Sequence, residues 1–315
     1  MTIHIVSVGS NLVDALKAPS TVRGLTQDQQ DGIQSGRPTD FLAPNGTEPT
    51  AATADSELKE LFGSATGQAR DDLRNTVAVV RPGMWPAGIS AELSTLVSVT
   101  GQSHLSREDV IVLLATDTFD GLTAALWDAL ALTIGDLDRI VYLSKPSDQP
   151  SETVHDRVFV VRVPGLDAST DEDFVRAMEG LGVLGRTLVR KVAVSENEDF
   201  LFHLSGGYKA AIPYLIGLAE GLRSLDRKGT VEAFVLHKDS GGKPIKLPLR
   251  RMVLSGLQHL LASFNANGER NRRPQGADSL EGYAFERREP SGYRLTAFGA
   301  GLRALIGPPD ETVRQ

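Results

Sequence analysis

Short runs of apolar, β-branched residues recur along the chain at intervals that leave room for a helix between them. "IHIVSV" (3–8), "DVIVLLA" (109–115), "RIVYLS" (139–144), "RVFVVRV" (157–163), "DFLFHLS" (199–205) and "VEAFVLH" (231–237) each read as a buried strand. Between them, "FDGLTAALWDALALT" and "DEDFVRAMEGLGVLGRTLV" repeat apolar residues every three or four positions, which is the spacing of a helix face. Strand, helix and strand in this order predict an α/β fold, Rossmann-like, with a mostly parallel sheet covered by helices on both faces.

Two stretches break the pattern. Residues 18–55 are polar and rich in Gly, Pro, Thr and Gln, so they read as a long irregular, solvated insertion after the first strand, with a mobile lid as the lesser reading. "NTVAVVRPGMW" fits either a strand or the end of a helix. Beyond residue 250 the pattern becomes a lone helix, "RMVLSGLQHLLASF", a basic loop, a hairpin around "EPSG" and a short terminal helix. This predicts two units: a sheet domain over 1–249 and a small winged-helix-like or dimerisation unit over 250–315.

Composition narrows the chemistry. There is no cysteine, so disulfides, thiolate metal sites and cysteine nucleophiles are excluded. The six histidines show no metal-ligand spacing, and neither a metal nor a cofactor is expected. No window is long and apolar enough to span a bilayer and the N-terminus has no secretory pattern, so a cytoplasmic protein with no membrane partner is expected. The formal net charge of −7 argues against general coating of nucleic acid. That charge is uneven: from Arg250 onward 10 Lys plus Arg face 7 Asp plus Glu, whereas 23 face 33 before it.

In a doubly wound sheet, ligands bind beyond the carboxyl ends of the strands. Three turns there are rich in small or hydroxylated residues: "VGSNL" (8–12), "ATDTFDG" (115–121) and "LSGGYKA" (204–210). Each offers a helix N-terminus that suits an anion. In the third, Gly206 and Gly207 allow close backbone approach, and Lys209 places a positive charge in the first turn of the helix. Neither a dinucleotide fingerprint nor a P-loop occurs at these turns. His203, inside an apolar strand, reads as a hydrogen-bonded core residue rather than a base. Trp127 and Leu130 read as core, and "STDEDF" (169–174) as a helix cap with acidic first-turn residues.

Five pieces in order, "IVSVGSNL", "ISAELSTL" (89–96), "VLLATDTFDG" (112–121), "FLFHLSGGYKAAIPYL" (200–215) and "VLHKDSGGKPIKLPL" (235–249), resemble the CARF proteins, the CRISPR-associated Rossmann-fold sensors of type III CRISPR systems. The resemblance covers most of residues 1–249. It implies a homodimer whose two sheets share one pocket for a cyclic oligoadenylate, with cyclic tetra-adenylate the expected ring. It further implies ligand contacts from Gly9, Ser10, Asn11, Asp117, Thr118, Ser205, Gly206, Gly207, Tyr208 and Lys209. A HEPN ribonuclease tail, with an Arg a few residues before a His, is not matched: Arg250 and Arg251 stand nine and eight positions before His259. His259 is expected on a helix surface or interface.

Two expectations of different class follow from the resemblance. In the first, the pocket itself is a metal-independent ring nuclease that leaves 2′,3′-cyclic phosphate ends, with Lys209, Ser10 and Asn11 as its catalytic residues. Asn11 stands where relatives carry a serine, and it cannot act as a base. In the second, the ring is only sensed and the C-terminal segment, through "GERNRRP" and "FERREPSGYRL", contacts DNA.

Overall fold

The computed structural model describes residues 1–43, 47–148, 155–167, 169–192, 197–225, 227–237, 242–275 and 278–307. Part of the fifth resemblance piece, residues 238–241, therefore lies outside the described residues. Strand β1 (Thr2–Val8) leads into helix α1 (Asn11–Lys17), then α2 (Gln27–Gly36), α3 (Ala51–Gly63), α4 (Gln68–Val80) and α5 (Ala91–Thr100) before β2 (Val110–Ala115). Helix α6 (Phe119–Leu132), β3 (Ile140–Leu143), β4 (Arg157–Arg162), α7 (Asp171–Thr187), β5 (Asp199–His203), α8 (Ile212–Ser224), β6 (Val231–Val235) and β7 (Ile245–Leu247) follow. The chain closes with α9 (Leu254–Ala262), β8 (Glu269–Arg270), β9 (Phe285–Arg287), β10 (Tyr293–Leu295) and α10 (Ala297–Ile306).

The seven-stranded sheet has the order β3-β4-β2-β1-β5-β6-β7, parallel except for the β7 edge. All six apolar runs become its strands, because residues buried on both faces leave no polar alternation. Along β1, Ile3 and Ile5 face the core that carries α7 to α10, whereas Val6 and Val8 face the core that carries α1 to α6. Strand order reverses between β1 and β5. The chain runs from β1 to β2 on one side, yet returns from β4 to β5 on the other.

The reading of 18–55 as an irregular loop is corrected by the structure. Helix α2 lies within it, opened by a capping box in which Thr26 accepts from Gln29 N and the Gln29 side chain returns to Thr26 N. Leu25, Ile33, Leu42 and Ala54 are buried, and the buried Trp127 donates its indole N–H to the Pro38 carbonyl at 2.8 Å. The helix is polar on most of its circumference, so a few widely spaced apolar anchors do the packing. "NTVAVV" proves to be the end of α4, stopped by Arg81 in the left-handed region.

The C-terminal segment contains the expected helix, hairpin and terminal helix, with a three-stranded sheet in the order β8-β10-β9. Between β8 and β9 the described residues hold one 3₁₀ turn, Asp278–Leu280, and no α-helix. The segment packs on the sheet's second face as part of the same core as α7 and α8. Helices α7 and α10 meet in backbone contact, since a Cβ on Gly182 would stand 2.1 Å from the Gly301 carbonyl oxygen.

Candidate functional site

The sheet's topological switch point lies between the carboxyl ends of β1 and β5, the place where such sheets bind ligands. Two of the three turns singled out in the sequence meet there. A Cβ on Gly9 would lie 2.7 Å from Gly207 N, so the two turns touch through bare backbone. Gly207 has φ +86°, a conformation that glycine adopts without strain.

Side chains that sequence reading did not single out hold this contact. Ser7 Oγ donates to the Gly206 carbonyl at 2.7 Å. Glu92, second residue of α5, accepts the Gly9 N–H on Oε1 at 2.8 Å, and a Cβ on Gly206 would fall 2.0 Å from that same oxygen. Ser90 caps α5 by accepting Leu93 N at 3.0 Å, and its Oγ donates to Asp128 Oδ1 on α6 at 3.1 Å. Glu92 and Asp128 are buried. Burial raises the Glu92 pKa, and the Gly9 N–H opposes it. Burial, joined by the charge of Glu92, lifts Asp128 well above the carboxylate range. The signal for both was a lone acid in an apolar helical window, in "ISAELSTL" and "TAALWDALAL".

The expected site residues divide. Ser10 and Asn11 are exposed at the start of α1, whose opening N–H groups lack intrahelical partners; Ser10 makes no side-chain cap. Tyr208 and Lys209 are also exposed. Lys209 is not in the first turn of α8, as expected, but opens a 3₁₀ turn, Lys209–Ala211, that precedes it. Pro213 sits at the second position of α8, so the α-helix begins at Ile212 and the tighter turn fills the gap. Ser205 is spoken for, because its Oγ accepts Leu236 N at 2.6 Å.

Asp117 and Thr118 lie at the end of β2 and are engaged locally. Asp117 accepts Arg162 Nε at 2.7 Å and Gly165 N at 2.9 Å, while Thr118 caps α6 through Gly121 N. Arg162 also reaches Asp55 at 3.1 Å. Burial alone would raise the Asp55 pKa, but hydrogen bonds from Lys59, Tyr142 and Ser144 and the charge of Arg162 hold it below the usual value. Asp55, the last residue of the stretch read as a solvated insertion, thus ties that stretch to the mouth of the sheet.

His203 is a core residue, as its apolar strand suggested. It meets His4 Nδ1 through Nε2 at 3.1 Å, and burial, reinforced by His4, lowers its pKa to about 3. Trp127 and Leu130 are buried, Thr170 caps α7, and His259 is exposed on α9. Among the described residues no group of three or more His, Asp or Glu could hold a metal ion, and no helix is long and apolar enough to cross a membrane.

The segment from α5 through β5 to α8, which supplies Glu92 and the "SGGYK" turn, also carries the likeness to a known family. Residues 87–225 match the family model described as CRISPR-associated protein (Cas_APE2256). This likeness supports a CRISPR-associated role. It leaves out β1 with Gly9, Ser10 and Asn11, and the whole C-terminal segment. No curated protein matches the chain.

Proposed function

We propose that the chain is a CARF protein that binds a cyclic oligoadenylate, cyclic tetra-adenylate first, and opens the ring without a metal. The observation that carries this reading is the backbone contact of Gly9 with Gly207 at the switch point, with Lys209, Tyr208, Ser10 and Asn11 exposed around it. Gly9 gives its own N–H to Glu92, so a phosphate would meet the exposed residues beyond it, Ser10 and Asn11, and Lys209 supplies charge with no ion pair to break among the described residues. A homodimer with its two-fold axis over this rim would offer a ring of phosphates the same donors twice.

In the reaction a ribose 2′-oxygen forms a bond to the adjacent phosphorus while the bond to the 5′-oxygen breaks. The 2′-hydroxyl proton is lost and the leaving oxygen gains one, giving a 2′,3′-cyclic phosphate and a 5′-hydroxyl. The residues' part is positional and electrostatic. Ser10 and Asn11 orient the sugar, and Lys209 with the turn's N–H groups offsets charge on the phosphoryl oxygens. Asp117 and Thr118, held by their own partners, would shape the rim rather than grip the ring.

The test is incubation of the protein with labelled cyclic tetra- and hexa-adenylate in EDTA, followed by separation of linear products. Linear product that disappears in Lys209→Ala supports the reading, and failure to bind either ring overturns it. A second reading, DNA contact through the C-terminal segment, is favoured by a groove where Arg270, Arg272 and His259 gather beside α9. A gel shift on the DNA upstream of the chain's own operon tests it, and absence of any shift with or without ring removes it.

A further inference from the structure

We propose that Glu92 is the positioning residue of the switch-point site, its carboxyl group clamping the turn after β1 to the turn after β5. One oxygen serves both turns: Oε1 accepts the Gly9 N–H at 2.8 Å and lies 2.0 Å from where a Cβ on Gly206 would stand. Gly206 is therefore required to be bare so that this carboxyl can press on its backbone, and Ser7 secures the same residue from β1. The clamp is delivered from a rigid mount. Ser90 fixes the start of α5 and reaches across to Asp128 of α6, so the Glu92 side chain is aimed by two helices.

The arrangement also explains how an acid can sit under a site meant for phosphate. Glu92 Oε2 and Asp128 Oδ2 are both buried without a hydrogen-bond partner, a state too costly for two full carboxylates side by side. The pair retains a proton, so the clamp holds the turns without presenting a full negative charge beneath the rim. Helix α5 packs against β1, β5 and β6, whose titratable groups on that face are His4, Asp199, His203 and Glu232; Asp199 accepts from Thr230 and Glu232 is paired with Lys246. None of these reaches Glu92 through a hydrogen bond.

The functional half of this inference rests on the cyclic-oligoadenylate reading, so the experiment reads the clamp in two ways. Hydrogen exchange at the Gly9 amide is measured in the wild type, Glu92→Gln, Glu92→Ala and Glu92→Asp, and the affinity of each for cyclic tetra-adenylate is measured in parallel. Glu92→Gln keeps a neutral acceptor of the same length, so Gly9 stays protected and affinity stays within about twofold of wild type. Glu92→Ala loses the acceptor, Gly9 exchanges faster, and affinity falls about tenfold. Glu92→Asp is one methylene too short and behaves like the alanine variant, which covers the case that Glu92→Ala fails to fold. Wild-type exchange and affinity in Glu92→Ala and Glu92→Asp, or a Glu92→Gln as damaged as they are, overturn the proposal. A wild type that binds no ring overturns the ligand reading instead, and the Gly9 exchange pattern then judges the clamp alone.

Discussion

Gly9 and Gly207 face one another so closely that a Cβ on Gly9 would stand 2.7 Å from the Gly207 nitrogen and 3.1 Å from its Cα. No side chain fits between the two turns, and separating them would break the hydrogen bond from Ser7 Oγ to the Gly206 carbonyl. Gly9→Ala is expected to destabilise the fold by about 1–3 kcal/mol, as overpacking does. Cyclic tetra-adenylate affinity should fall with it. Urea unfolding together with a ring-binding titration checks both, and an alanine variant with unchanged midpoint and affinity would show that the turns separate freely.

Lys209→Ala is expected to leave stability within about 0.5 kcal/mol of wild type, because the side chain is exposed and no ion pair engages it among the described residues. Ring affinity should drop, and the dependence of that affinity on salt should become shallower as one phosphate contact is lost. Thermal melts and binding titrations at several salt concentrations read the two effects separately.

What the sequence made legible, and what it hid, follows from where polarity sits. Strands β1 to β6 showed as apolar runs because both sheet faces are covered, whereas the meeting of the first and third turns depends on the β1–β5 adjacency, which apolar runs do not reveal. Helix α2 was hidden because Ile33 is one of its few buried positions and the rest is solvated. Glu92 stood inside the quoted piece "ISAELSTL" yet was given no role, because an acid near a helix start is ordinarily explained by the helix dipole. Only the burial of Asp128, four helical turns of apolar residues around it, shows that the two acids share an interior. Lys209 was rightly seen at the mouth of β5, but Pro213 displaced the helix start past it.

Glu220 joins α8 to the C-terminal segment. Its Oε1 accepts Arg250 N and Nε at 3.1 and 2.9 Å, and its Oε2 accepts Arg250 Nη2 and Tyr283 OH, each at 2.8 Å. Glu220 is buried and loses two guanidinium bonds in Arg250→Ala, but it keeps the backbone N–H of that residue and Tyr283 OH, and the arginine is largely exposed, so the expected cost is about 1–3 kcal/mol. Chemical denaturation with intrinsic fluorescence measures this. A loss no larger than that of a surface arginine would show that Glu220 finds other partners.

Two sets of buried carboxyls set opposite pH dependences. Burial raises the pKa of Asp55 and of Glu220, but hydrogen bonds from Lys59, Tyr142 and Ser144 in the first case and from Arg250 and Tyr283 in the second bring both below their ordinary values of 3.8 and 4.5. Their stabilisation is present above those values and lost as pH falls through the lowered ones. Asp128, with its pKa raised chiefly by burial, does the reverse. The stability tied to its bound proton is complete below 3.8 and declines as pH rises toward the raised value. Asp128→Asn is therefore expected to flatten the decline in urea midpoint as pH rises above 3.8. An unchanged slope would mean that Asp128 does not hold the proton in the fold.

The contact of Gly182 with Gly301 bears on how small a working piece of this protein can be made. Helix α10 lies against α7 at backbone distance and covers Met178, Leu181, Leu218 and Leu222 on the sheet's second face. A chain shortened to residue 249 would bare that oily surface to water and invite self-association. A shortened form of the protein should therefore keep the C-terminal segment and carry any reporter elsewhere, because that segment is the floor under α7 and α8.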